Sequence, residues 1–516
     1  MSVSEPWGSE NVVEGATTAI LLGPLDRKTL EEECSDHPKG VLWIGPGDAE
    51  GGNPPPPGLV ITRITDSSEV IQKAIRGILG SEYEMQPTVK ASQESETDSP
   101  EAYSDILSLI IAEIDSTFRS RKTREEVGFQ RQAQVMTNLR GYLGGRVPEE
   151  WRGMASNCLA VVVGAGPSLD QTLPLLQKGL PKPVVVAADS SLRALQNYEI
   201  EPDFVVSIDP EKIHTDCSRE DYCPGIAILS SQSHGSWLAK WGEKSRFLSG
   251  RVLTEDWLAE KGIGKTRLQA VNNAGLTALL FADFLEPAAI LMAGMDLSGG
   301  GDGRERYAES TGRSHMQIHA SHFHKVPGNF APTVPTPFLS DWQETSDLTG
   351  EVSRRRMVMN LNYRGAKLEG ATVIHPEDID GLKEAVSENL SPFASNDEEI
   401  MHKRKSLQGN GLNQLLTLLA SRCDLAWKNF PCNTKDYNAV LNYLRELFTD
   451  QDMARLLGDF AFSILPKIGP GGTIGEDDLN KAVRQLENLI WKLEDAILEC
   501  GGSEEFLLRF LTETFD

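Results

Sequence analysis

The chain has 516 residues, which at roughly 100–200 residues per domain allows two to four domains with sizeable cores. Fifty Lys and Arg against 75 Asp and Glu give a formal net charge of −25, with 24% charged and 40% hydrophobic residues; this composition excludes general disorder and collagen-like order. So acidic a chain repels phosphodiester backbones and shows no strongly basic face, so nucleic acid is not expected as its main partner.

The opening residues, MSVSEPWGSENVVEG, carry no positive segment followed by a long apolar one. No later stretch approaches ~18–20 uninterrupted apolar residues, so a cytoplasmic protein without a membrane span is expected. The seven cysteines (Cys34, Cys158, Cys217, Cys223, Cys423, Cys432 and Cys500) are odd in number and scattered, which suits a reducing compartment better than a disulfide framework. No CxxC pair occurs. The nearest metal-like spacing, His214, Cys217 and Cys223, lacks a fourth ligand, and no metal site is expected there.

In chain order, the runs Gly40–Gly45 and Gly58–Ile64, separated by the breaker tract Pro54 to Pro57, predict two short strands among small helices. From Ala91 to Pro100 the composition turns to Ser, Glu, Thr, Asp and Pro, a solvated linker that places a boundary near residue 100. Ile106, Ile110, Ile114 and Phe118, with Leu107 and Ile111, form one apolar face of a long helix. Next come Leu159–Val163, Val184–Ala188, Phe204–Ile208, Ile226–Leu229 and Ala289–Ala293, apolar runs without alternation, as in strands covered on both faces, spaced for crossover helices. After about His375 the pattern becomes helical. Leu412, Leu415, Leu416, Leu419 and Cys423 form one stripe and Leu479, Val483, Leu486, Ile490, Leu493 and Ile497 another, read as helix-bundle core rather than as a coiled-coil seam for a partner.

The predicted fold class is therefore α/β. A small α/β domain (1–100) precedes a central Rossmann-like domain (101–380) with a doubly wound, mainly parallel sheet, and a helical domain (381–516) follows.

The most informative stretch runs from the strand ending at Val163 into Gly164, Gly166, Pro167 and Ser168. Glycines allow a tight turn and close backbone approach, and proline suits a first helical position. Free amides at that helix start would face the carboxyl edge of the sheet and hold a phosphate or other anion; the alternative is a mere tight strand-to-helix turn. The dinucleotide fingerprint fits poorly, because Leu169 stands where its third glycine belongs, although Asp189 lies near the ribose position. Gly264-Lys265-Thr266 has the tail of a Walker A loop, but Ala259 replaces its first glycine and no strand precedes it.

Gly164-Ala-Gly-Pro-Ser-Leu-Asp170, Val184 to Leu195 and Glu201 to Pro210 resemble the central domain of the motility accessory factor (Maf) flagellin glycosyltransferases, a superfamily shared with the 6-hydroxymethylpterin diphosphokinases of MptE type. The likeness continues through Asn272 to Ala278, Ala293 to Leu297, Gly303 to His315, Val326 to Asn329, Asn360 and Arg364 to Gly370, over roughly residues 120 to 375. It implies transfer of a nonulosonic sugar from a CMP-activated donor to serine or threonine hydroxyls of flagellin or another protein, with the CMP-sugar as substrate and no resident cofactor. On that reading Gly164, Gly166, Pro167, Ser168, Asp189, Ser190, Asn273 and Asp296 are the expected nucleotide-binding residues, and His315 and Asp209 the expected catalytic ones.

Alternatives remain. His315, His319, His322 and His324 cluster after the Gly301-Asp-Gly303 turn and offer a general base, a metal pair at His315 and His319, or ordinary loop histidines. Arg304, Arg306, Arg313 and Arg354 to Arg356 are candidates for a sugar carboxylate, or merely solvated. A pyrophosphokinase would use clustered carboxylates on Mg²⁺, but Ser207-Ile208-Asp209 stands where an Asp-x-Asp pair is needed, while Asp189 replaces the asparagine usual in Maf proteins. A non-catalytic nucleotide-binding scaffold is the third reading.

Overall fold

A computed structural model gives the structure of the chain. It describes residues 7–13, 15–46, 54–79, 86–93, 95, 100–177, 179–299, 304–316, 323–394, 410–431, 436–469 and 472–501. Two compact units divide at Glu126 and Val127, rather than near residue 100, and the central sheet and C-terminal helices fall in the same unit.

The first unit holds a five-stranded sheet in the order β1-β5-β2-β3-β4, from β1 (Trp7–Asn11), β2 (Thr18–Leu22), β3 (Gly40–Gly45), β4 (Leu59–Arg63) and β5 (Thr88–Ser92). Only β1 runs antiparallel to its neighbour. Successive side chains of a strand point to opposite faces. Thus Ile20, Leu22, Leu42 and Ile44 meet Ile71 and Ile75 of the helix Ser68–Ile78 together with Ile106, Ile110 and Ile114. On the other face Ala19, Leu21, Val41 and Trp43 pack with Leu30 of the helix Arg27–Asp36, whose first turn is capped by Asp26 accepting from the Thr29 amide at 2.8 Å. Ile111, expected on the buried stripe of the long helix Pro100–Gly144, is instead exposed, because the buried face there runs through Tyr103, Ile106, Leu109, Ile110 and Ile114 and leaves Ile111 beyond its border. Phe118 lies outside the residues whose side chains are described, and so does most of the expected linker.

The second unit is built on an eight-stranded, all-parallel sheet in the order β10-β9-β8-β7-β6-β11-β14-β15. Its strands are β6 (Leu159–Val163), β7 (Val184–Ala188), β8 (Phe204–Ser207), β9 (Ile226–Ser230), β10 (Ser245–Leu248), β11 (Ala289–Ala293), β14 (Met357–Leu361) and β15 (Thr372–Ile374), and β12 (His324–Pro327) with β13 (Thr333–Thr336) forms a separate hairpin. This is a Rossmann-like α/β fold. The chain winds outward from β6 to β10, returns, and continues from β11, so the topological switch lies between β6 and β11, where such sheets gather ligands at their carboxyl edge.

One face of the sheet packs with Leu276, Leu279 and Phe281 of the helix Ala274–Phe284 and with Trp151 and Phe204. The other belongs to one continuous core that runs through Met136, Leu139 and Tyr142 of the long helix into the helices Asn410–Trp427, Tyr437–Leu447, Gly458–Ile468 and Glu476–Glu499. All six apolar positions of the stripe from Leu479 to Ile497 are buried in that core. Buried Gln132 ties these layers: its Nε2 donates to Thr254 Oγ1 and to the Leu456 carbonyl, both at 3.1 Å, and its Oε1 accepts from the Asp459 amide at 3.0 Å. Among the described residues no helix is long and apolar enough to cross a membrane.

Gln132→Leu preserves volume but strands the Asp459 amide in the interior, so it should cost about 1–3 kcal/mol. Urea unfolding followed by tryptophan fluorescence checks this; an unchanged midpoint would contradict the role given to Gln132.

Candidate functional site

The glycine turn after β6 is closed, not open. The Gly164 amide donates to the Ala293 carbonyl and the Gly166 amide to the Gly294 carbonyl, both at 2.8 Å, while Pro167 has no N–H. Ser168 donates from its amide (3.0 Å) and its hydroxyl (2.9 Å) to Asp296 Oδ2. The helix that follows, Leu169–Thr172, has only four residues. The expectation that Gly164, Gly166, Pro167 and Ser168 offer free amides to an anion is therefore corrected: the loop after β11 takes those donors. A Cβ on Gly166 would fall onto the Asp296 carboxylate, so close approach of the two loops, not of a ligand, requires glycine there.

Asp296 is likewise not placed for a nucleotide contact. It is buried, its Oδ1 accepts from Asn362 Nδ2 at 3.2 Å, and burial raises its pKa against the pull of the Ser168 and Asn362 donors. It joins the turns after β6, β11 and β14 at the switch point. Arg364, which favours the charged form of Asp296, pairs with Glu305 at 2.5 Å.

Asp189 and Ser190, at the end of β7, are also buried and occupied. Asp189 Oδ1 accepts from the Ser190 amide (2.6 Å), the Ser190 hydroxyl (3.1 Å) and Lys212 Nζ (2.9 Å), and its Oδ2 accepts from Ser207 Oγ (2.9 Å). Burial alone would lower the Lys212 ammonium, but the Asp189 carboxylate raises it well above its ordinary value. The two residues thus fix a lysine at the carboxyl edge instead of touching a ligand directly. Sequence reasoning passed over Lys212, since nothing marks a single lysine five residues beyond a strand. Asp209 stays accessible, with its side chain 43% exposed, 3.9 Å from Lys212 Nζ and accepting from the Glu211 amide.

Free backbone donors exist elsewhere on this edge. The helix Ala274–Phe284 runs back toward the amino edge of the sheet, so its N-terminus lies at the carboxyl edge. Asn273 caps it, accepting from the Leu276 amide at 2.7 Å through its side chain and from the Thr277 amide through its carbonyl. The amides of Ala274 and Gly275 make no hydrogen bond to another described residue, and Asn273 Nδ2 is buried without a partner. The Met295 sulfur joins this helix start to the switch point: a Cβ on Gly164 or Gly275 would meet it at 2.9 or 2.8 Å. Asn272 donates to Glu344, and fully buried Asn360 at the end of β14 leaves both polar side-chain atoms unpaired. Beyond the Asn273 cap, the start of this eleven-residue helix keeps two amides open at its positive dipole end, an arrangement suited to an anion.

Residues 304–316 lie over the closed turn. The Ala308 amide donates to the Ala165 carbonyl (3.0 Å), and Asp170 accepts from the amides of Glu309 (2.7 Å) and Ser310 (3.1 Å). His315 sits in an exposed turn of this segment without a hydrogen bond among the described residues; His319, His322 and the Gly301-Asp-Gly303 turn lie outside them. Among the described residues no group of three or more His, Cys, Asp and Glu side chains is placed to hold a metal. Arg355 and Arg356 pair with Asp283 at 2.8 and 2.6 Å, just before β14. That is the amino edge of the sheet, so those two are removed from the carboxylate-binding candidates.

Residues 134–301 match the family model described as 6-hydroxymethylpterin diphosphokinase MptE-like, about a third of the chain. The matched stretch spans the sheet from β6 to β11 and includes both the closed turn and the open helix start. Among solved structures the chain is similar to one titled "Structure of MAf glycosyltransferase from Magnetospirillum magneticum AMB-1", at 16% identity and a TM-score of 0.47, over 96% of this chain and 82% of that one. No curated protein matches the chain.

Beside β9 and β10 the same edge buries a carboxyl. Glu255 accepts from Ser231 Oγ (2.5 Å) and the Gly250 amide (2.7 Å), and burial pushes its pKa up to about 7 despite both donors. A carboxyl raised on folding binds its proton more tightly in the native state, so its stabilising contribution is complete below the unfolded value and is lost as pH rises through about 7. Wild type should lose stability relative to Glu255→Gln by on the order of 2 kcal/mol between about pH 5 and about pH 8. Melting curves of the two proteins across that range check it; parallel pH profiles would contradict the assignment.

Proposed function

We propose that the chain is a glycosyltransferase that takes a nonulosonic sugar from a CMP-activated donor and places it on a serine or threonine hydroxyl of a protein, flagellin being the acceptor that the sequence resemblance implies. The observation that carries this reading is the open helix start at Asn273, Ala274 and Gly275. It offers two backbone donors and a positive dipole end to a single phosphate at the carboxyl edge of an MptE-like sheet. CMP carries one phosphate, and as a leaving group it develops negative charge there. The ordered motifs from Gly164 to Gly370 support the same reading.

The step is a displacement. The acceptor Oγ attacks the anomeric carbon, the bond from that carbon to the CMP phosphate oxygen breaks, the bonding pair leaves with CMP, and the hydroxyl proton passes to a base. Asp209 and His315 are the two accessible groups proposed for that proton. Lys212, held in place by Asp189, sets its ammonium 3.9 Å from the Asp209 carboxylate.

A pyrophosphokinase is the second reading, favoured by the description of the matching family. It needs carboxylates free for Mg²⁺ on ATP. Asp189 is already neutralised by Lys212, which leaves Asp209 without the partner that role requires.

CMP alone should raise the melting temperature without added metal. Ala274→Glu places an acid in the first helical turn, where it suits the dipole but occupies the anion site. Calorimetric titration should show at least about a tenfold loss of CMP affinity. Equal affinity in the variant, or stabilisation by Mg²⁺ with ATP and none by CMP, would overturn the proposal.

A further inference from the structure

Arg313 is a cation in the wrong place for a structural residue. Only 8% of it is exposed, yet no carboxylate among the described residues pairs with it, in a chain whose net charge is −25. Its Nη1 donates to the Asp216 carbonyl (3.2 Å) and approaches Cys217 Sγ (3.8 Å), and its Nη2 donates to the Met316 sulfur (3.2 Å). Its Nε is buried with no hydrogen-bond partner among the described residues. Burial pushes the Cys217 thiol up, so this sulfur supplies no compensating negative charge. A buried charge left with neutral acceptors is expensive and calls for a counter-ion.

The surroundings reinforce this. The Arg313 guanidinium lies 5.2 Å from the centroid of the Tyr307 ring and that of Arg306 lies 5.1 Å from the same ring, so two cations share one aromatic side chain. Arg306 is exposed and has no ion pair among the described residues. Tyr307 in turn lies near enough to Lys212 to influence its titration. The residues that carry this cluster are tied to the turn after β6 through Ala308 and Asp170, so the cations sit on the ligand edge of the sheet.

We infer that Arg313 recognises the carboxylate of the transferred sugar, through the guanidinium edge formed by its unpaired Nε and by the Nη2 now resting on Met316. This rests on the donor reading above and names the side chain that holds the carboxylate of that sugar. The Nε–Nη2 edge presents two parallel N–H groups that match the two oxygens of a carboxylate. Met316 is unbranched and 37% exposed, so its thioether is a weak and movable acceptor that a carboxylate displaces. Arg306, across Tyr307, adds a second positive charge at the entrance.

The test compares CMP, CMP-N-acetylneuraminate and the carboxyl methyl ester of that donor by calorimetric titration against the full chain. Wild type should bind the acid at least tenfold more tightly than CMP or the ester. Arg313→Met should bring the three affinities to within about threefold while leaving CMP affinity unchanged, and Arg306→Ala should lose part of the preference. Should Arg313→Met fail to fold, Arg313→Lys keeps the charge but not the two-pronged edge and must still lose most of the discrimination. A preserved preference in a folded Arg313 variant overturns this inference and leaves the donor reading intact. Wild type that binds neither CMP nor its sugar conjugate overturns the donor reading, and this inference with it.

Discussion

The hydrogen bonds from Ser168 to Asp296 organise the carboxyl edge of the central sheet. In an open parallel sheet the turns on either side of the switch point normally diverge and leave a crevice. Here the turn after β6 gives its amides to the turn after β11, and Asn362 after β14 gives a third donor to the same carboxylate. A buried carboxyl is costly unless several donors meet it, and these do. The consequence is a rigid floor of three turns. Around this floor lie the start of the helix Ala274–Phe284, the Lys212 ammonium and residues 304–316.

The same logic separates groups that hold from groups that face outward. Asp189, Ser190, Ser207 and Asp296 are all polar residues at strand ends, and all are buried and saturated. The amides of Ala274 and Gly275, Asp209, His315 and Arg306 are partly or fully exposed. Within an acidic chain, Arg306 and Arg313 have no carboxylate partner among the described residues, which suits the negatively charged ligand proposed above.

Much of the fold was legible because buried parallel strands announce themselves as short β-branched runs. β3, β6, β7 and β11 lie where their apolar runs place them, and the stripe from Leu479 to Ile497 is buried throughout. The strands not anticipated include those with polar interior residues. β10 contains Arg246, whose buried guanidinium bonds the carbonyls of Glu243 and Ser245, and β14 contains the buried Asn360. Hydropathy does not recover such strands, because a charged or amide side chain in so short a run breaks the apolar signal even when the fold buries it. The division into units was hidden for a related reason: the core that fuses the C-terminal helices with the sheet depends on the second half of the long helix, whose apolar side reads the same whichever layer covers it. In the site, Asn273 was named from the sequence as a nucleotide-binding residue, while its role as the cap of the helix Ala274–Phe284 emerged only in the structure. That the Gly166 and Ser168 amides are consumed was not, since their acceptors lie 128 residues away in the turn after β11. Arg313 could be named from its segment, but only its burial without an acid separates it from the surface arginines around it.

The most direct measurement of the central claim is a crystal structure of the chain with CMP bound. The phosphate should sit within hydrogen-bonding distance of the Ala274 and Gly275 amides, with the bonds between Ser168 and Asp296 intact. A phosphate seated instead on the amides of Gly166 and Ser168, with Asp296 displaced, would contradict the account.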